Sequence, residues 1–205
     1  MSLKQLLIFV LIVAFTVGNK CPSGGKIYER GISEGGIKEI VDDHNYYRTL
    51  IANGKVKNQP RGVNLKRLVY DKALASKART ISDTCDFNHI TIKDDRWKVG
   101  QNLARVMSNK LEEKPVQDWK KIITTWFDEH KLFVFPNITS PKTGHYSQVV
   151  WANSKFIGCD FVYYYDVDKP KSPYTKLYTC NYGPGGNVKG EAPYKTGKSG
   201  CENLC

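Results

Sequence analysis

Two stretches decide the reading of this chain: Gly144-His145-Tyr146-Ser147-Gln148-Val149-Val150-Trp151 and, further on, Tyr178-Thr179-Cys180-Asn181-Tyr182-Gly183-Pro184-Gly185-Gly186-Asn187. The first begins polar, with a histidine, and turns apolar and aromatic. The second sets one cysteine in a β-prone run and closes on a Pro/Gly turn. Between and around them, residues 156–165 and 174–182 are aromatic and β-branched, separated by a Lys/Pro/Asp turn, which predicts an antiparallel hairpin.

The N-terminal half has a different period. Ser33 is placed to cap a helix in which Ile37, Ile40, Val41, His44, Tyr47 and Ile51 recur at three and four, ending at Asn53-Gly54. Asp71 opens a second helix with Leu74, Ala75, Ala78, Ile81 and Ser82 along one face. Residues 99–107 have a short strand's character. Pro115 suits the first turn of a third helix burying Val116, Trp119, Ile122, Ile123, Trp126 and Phe127. Helices first and strands last argue for an α+β fold, with helices packed on a small antiparallel sheet.

Residues 1–18 read as a secretory signal peptide: Lys4, an apolar run from Leu6 to Val17, then small residues Thr16 and Gly18 before a cut at Asn19. The run is shorter than the roughly 20 residues of a spanning helix. Residues 19–32 read as an extended N-terminal arm, 33–190 as one domain, and 191–205 as a C-terminal tail carrying Cys201 and Cys205. The expected location is extracellular. All six cysteines fall after the leader, an even number that reads as disulfides, with the pairing open. Asn137-Ile138-Thr139 is an N-glycosylation sequon. The formal charge of +11 is scattered, with no Arg-rich block or RNA-binding signature. That argues against a nucleic-acid partner and allows weak attraction to anionic surfaces.

The two signature stretches resemble those of the CAP superfamily, which joins cysteine-rich secretory proteins, antigen 5 and pathogenesis-related proteins. Asp43-His44-Asn45-Tyr46-Tyr47-Arg48, Leu68 to Ala75, Val99-Gly100-Gln101-Asn102-Leu103-Ala104 and Trp126-Phe127-Asp128-Glu129 extend the resemblance over the chain. Val-Gly-Gln-Asn and Cys-Asn-Tyr-Gly-Pro-Gly-Gly-Asn are most similar to arthropod antigen 5 of venom and saliva. The resemblance implies an α-β-α sandwich, secretion and allergenicity. It implies Cys159–Cys180, where a cross-strand bridge is sterically reasonable, and Cys21–Cys85, leaving Cys201 with Cys205. The additional cysteine-rich channel-regulating domain of vertebrate relatives has no counterpart here.

The resemblance also implies a central cleft formed by His89, Gln101, Glu129 and His145. Two imidazoles and a carboxylate point to zinc or copper at His89 and His145 with help from Glu129, or to a proton-moving His–Glu pair. Gln101 stands where many members carry a glutamate, and an amide is neither a proton acceptor near neutral pH nor a good zinc ligand. Ser147, read at i+2 from His145 on a strand, shares its face, but no nucleophile elbow accompanies it. His44 reads as a satisfied core histidine, His130 as the end of the third helix, and Phe133-Val134-Phe135 and Tyr163-Tyr164-Tyr165 as core and sheet. The expected function is non-enzymatic, requiring no cofactor: binding a small hydrophobic ligand (lipid, eicosanoid or sterol) in a channel walled by the first and third helices, or binding a host protein. The alternative is metal-dependent hydrolytic or redox activity at the His89/His145/Glu129 cleft.

Overall fold

The computed structural model describes residues 19–138 and 140–205. The leader expected over residues 1–18, and Thr139 of the sequon, lie outside them. In order come β1 (Ile27–Arg30), α1 (Glu34–Ala52), β2 (Val69–Tyr70), α2 (Lys72–Ser82), β3 (Gly100–Ser108), α3 (Trp119–Asp128), α4 (Gly144–Val149), β4 (Phe156–Tyr165) and β5 (Tyr174–Gly183). Short 3-10 turns occupy Glu129–Lys131 and Pro141–Thr143.

The hairpin β4–β5 pairs Phe156 with Gly183 through Tyr165 with Tyr174, and alternation sorts its side chains onto two faces. Ile157, Cys159, Phe161, Tyr163, Tyr178, Cys180 and Tyr182 join the large core with the buried residues of α1, α3 and α4. Val162, Tyr164 and Leu177 face the other way, with Ile27 and the Cys21–Cys85 pair. Helix α2 covers that second face. A Cβ at Gly158 would stand 2.2 Å from the Ala75 backbone nitrogen, so only glycine lets α2 sit this close. Both faces being covered, the architecture is the expected α-β-α sandwich. The strand order is β1-β4-β5-β3, antiparallel except for the two-residue β2 beside β4.

Local signals place most helix ends. The Ser33 hydroxyl accepts from the Gly36 amide at 3.1 Å, and the Asp71 carboxylate accepts from the Leu74 amide at 2.7 Å. The third helix departs from expectation. It starts at Trp119 under an Asp118 cap, and Val116 is 68% exposed rather than buried. The Asp118 carboxylate accepts the Lys121 amide at 3.1 Å and starts the helix there, while the Val116 carbonyl, before it, accepts from the Lys176 ammonium at 2.9 Å. The arm at 19–32 contributes β1, an edge strand on β4. The tail at 191–205 is docked: Gly62 bridges Thr196, and the Cys205 amide donates to the Leu65 carbonyl at 2.8 Å. Disulfides join Cys21 to Cys85, Cys159 to Cys180 and Cys201 to Cys205.

The most deeply placed charge is Arg48 on α1, fully buried. Its guanidinium donates to the carbonyls of Lys66, Val149, Trp151, Ala152 and Ser154 at 2.6–3.4 Å. Among the described residues no carboxylate pairs with it. Burial pulls its pKa down to about 9, with Tyr182 opposing the shift. Beside it, Asn45 clasps Leu68, donating to its carbonyl at 2.9 Å and accepting from its amide at 2.8 Å. Five carbonyls lose a charged donor in Arg48→Met, two of them keeping a backbone amide, so urea unfolding is expected to show a loss of about 3–5 kcal/mol. Arg48→Lys should recover little of it, because an ammonium lacks the planar fork.

Candidate functional site

The four residues assigned to a cleft form two bonded pairs. In the first, the Glu129 carboxylate lies just beyond α3 and faces the start of α4. Its Oε2 accepts the amides of His145 and Tyr146, both at 3.0 Å, and its Oε1 accepts His145 Nδ1–H at 2.6 Å. Glu129 thereby caps the positive end of α4 and fixes the ring, leaving Nε2 directed away from the carboxylate. Trp126 stacks on the imidazole with ring centres 6.0 Å apart.

In the second pair, His89 stands exposed on the loop after α2, its Nδ1–H donating to Gln101 Oε1 at 2.8 Å. The Gln101 amide group donates to the Ile90 carbonyl at 3.4 Å and to Asn181 Oδ1 at 3.2 Å. A glutamate could accept from His89 but could make neither donation, so glutamine suits this latch.

Gln101 and Asn102 are neighbours on β3 and point to opposite faces. Gln101 holds His89 on the side of Asn181, whose amide donates to the Leu74 carbonyl of α2. On the other side Asn102 donates to the His145 carbonyl at 3.1 Å and to the Tyr182 hydroxyl at 3.3 Å. That hydroxyl lies 2.9 Å from His44 Nε2, while His44 Nδ1–H donates to the Ile40 carbonyl at 2.7 Å. The buried chain Asn102–Tyr182–His44 thus backs His145, and His44 is a satisfied core histidine. Asn102, Tyr182 and Trp126 all lie in stretches that the sequence marks out, yet only the fold reveals what they hold.

This geometry does not fit an open zinc site of the kind expected at His89 and His145. Both Glu129 oxygens already accept hydrogen bonds, Gln101 is neutral, and only the two outer ring nitrogens remain, short of the three protein donors of an open zinc site. Among the described residues no group of three His, Cys, Asp or Glu is arranged to hold a metal. The strand reading of residues 145–147 is also corrected. They lie in α4, where Ser147 is buried and its hydroxyl bonds the Thr143 and Gly144 carbonyls and Asn187 Oδ1 at 2.6–3.2 Å. The apolar residues expected to wall a channel between the first and third helices, Ile40, Ile51, Trp119 and Ile123, are packed in the core. His130, in the turn after α3, bonds the Phe127 carbonyl through Nδ1 at 3.0 Å. Beside His89 lies a hollow of about 300 Å³ lined by Ile90, Ile92, Lys98, Val99 and Gln101.

An α-β-α sandwich with a histidine on a capped short helix, and a second histidine latched to its edge strand, defines the class to which known proteins can be compared. The family profile of the CAP, cysteine-rich secretory proteins matches residues 41–182, and the chain belongs to that family. It is 40% identical over 172 residues to salivary antigen-5 of Dipetalogaster maximus, covering 80% of this chain and 68% of that one. To venom allergen 5 of Vespula vidua it is 36% identical over 188 residues, covering 85% and 87%. The solved structure of BmVAL-1 superposes with a TM-score of 0.68 at 25% identity, over 87% of this chain and 88% of that one. No helix among the described residues is long and apolar enough to cross a membrane.

Burial lowers the His44 pKa to about 4. A base depressed below its unfolded value stabilises fully above that value, near 6.5, and loses the contribution as pH falls towards 4. Denaturation from pH 7.5 to 4.5 should show a loss of up to about 3 kcal/mol from this residue, flattened in His44→Gln. The buried carboxyl of Asp160, raised by desolvation, works in the opposite sense. An unchanged pH slope in His44→Gln would refute the assignment.

For the latch, Gln101→Glu faces a carboxylate with two acceptors. A loss of about 1–2 kcal/mol and faster amide exchange at Ile90 are expected, whereas unchanged exchange would count against the latch.

Proposed function

We propose that this chain is a secreted, non-catalytic binding protein of the antigen 5 type, released in saliva or venom, which holds a small hydrophobic ligand. The hollow beside His89 carries the reading. Ile90, Ile92 and Val99 supply an apolar wall, and Lys98, His89 and Gln101 place a cation and hydrogen-bonding groups at its margin. That combination suits an acyl chain ending in a carboxylate. Two of the groups that could do chemistry are otherwise engaged: the Ser147 hydroxyl is tied to two carbonyls and Asn187, and the Glu129 carboxylate caps α4. The names salivary antigen-5 and venom allergen 5 borne by relatives support the secretory setting and an allergen role.

Solvent extraction of protein purified from secreting cells, followed by mass spectrometry, should recover a fatty acid or a related lipid. A fluorescent fatty acid should bind saturably, and Ile92→Asp should weaken it about tenfold or more. Recovery of no lipid together with no saturable binding would overturn the ligand reading and leave a host protein as the target.

A further inference from the structure

A second cleft, with no histidine in its lining, lies where the Cys21–Cys85 bridge meets β3 and the turn of the β4–β5 hairpin. It encloses about 320 Å³ and is lined on its polar side by Asp86, Arg105, Tyr164, Asp166 and Asp168. A shallower, largely apolar hollow of about 380 Å³ adjoins it, sharing Asp168 and Lys169 and walled by Met107 and Pro170.

Tyr164 is the informative residue. It is 1% exposed, yet its hydroxyl has no hydrogen-bond partner among the described residues, and it lines the cleft. The hydroxyl therefore keeps its donor and acceptor capacity towards the cleft that the side chain lines. Burial, then the neighbouring charge of Asp166, push its pKa up, so the phenol stays protonated. The three aspartates are in no ion pair among the described residues. Asp166 accepts from the Asp168 amide through Oδ1 at 3.0 Å, and Asp86 accepts from Asn88 through Oδ2 at 2.7 Å, so each keeps acceptor capacity.

Two cations also border the cleft. Arg105 is held over the Phe87 ring at 4.8 Å, and Lys169 stands between the two hollows. The carboxylates outnumber them, a local excess of negative charge on a chain of formal charge +11. Among the described residues no group of three His, Cys, Asp or Glu is arranged to hold a metal ion here.

We propose that this cleft binds a small amphiphile bearing an ammonium group, its head among Asp86, Asp166 and the Tyr164 hydroxyl and its apolar body over Met107 and Pro170. The ammonium N–H groups donate to the two carboxylates and to the phenol oxygen, and the Phe87 face borders the same end. The site is independent of the hollow beside His89.

Calorimetric titration of the full mature protein in phosphate buffer with phenethylammonium, phenethyl alcohol and phenylacetate separates charge from shape. Saturable binding of phenethylammonium is expected, at least about tenfold tighter than the alcohol. Asp166→Asn should weaken it about tenfold, Tyr164→Phe several-fold, and Met107→Ser measurably, with near-ultraviolet circular dichroism unchanged. Asp86→Asn, at an exposed position, gives a second charge deletion without burden on folding. Equal binding of the alcohol, tighter binding of phenylacetate, no saturable binding of the ammonium, or affinity indifferent to both Asp166→Asn and Asp86→Asn would each overturn the proposal.

Discussion

The fold turns on a buried guanidinium that no acid among the described residues answers. Arg48 gathers five carbonyls, one from the segment before β2, one from the last residue of α4 and three from the chain between α4 and β4. The Trp151 and Ala152 carbonyls also accept the amides of Ser154 and Lys66, so the guanidinium adds to a backbone network that already links the two segments. The cation is fully withdrawn from water, which costs free energy, and charge-assisted hydrogen bonds offset that cost because all five acceptors are fixed at once. A single side chain on α1 thereby sets where α4 ends and where the central hairpin begins.

That placement governs the histidines. Once the end of α4 is fixed, its first turn meets Glu129, whose carboxylate satisfies two amides that a helix of six residues leaves open. His145 inherits its orientation from this cap, and Asn102 fastens its carbonyl from behind. His89 is held by an amide latch on the opposite face of the same strand edge. Ser147 and Glu129 are thus occupied with structural bonds, while the outer ring nitrogens of His89 and His145 stay open, beside a hollow at one histidine and apart from a charged cleft where β3 meets the hairpin turn.

Period and caps made much of the architecture legible. Ser33, Asp71 and the aromatic, β-branched hairpin announced their elements because those signals act over a few residues. The start of the third helix was not legible from Pro115, because the Asp118 carboxylate caps it, while Lys176, distant in sequence, donates to the Val116 carbonyl before it. Residues 145–147 misled for a related reason: a short helix capped by a carboxylate from another segment carries little propensity of its own. Gln101 was noticed as a departure, but its use became clear only when the Ile90 carbonyl and Asn181 appeared beside it.

By itself, then, the sequence determined the family, the class of fold and the positions of the elements whose stability is local: capped amphipathic helices and alternating strands. The tertiary structure alone decided which face each functional side chain occupies and which hydrogen bonds it has already made. The reason is physical. Neighbouring strand residues point to opposite faces, and a polar group's chemistry depends on partners that only long-range packing brings within bonding distance.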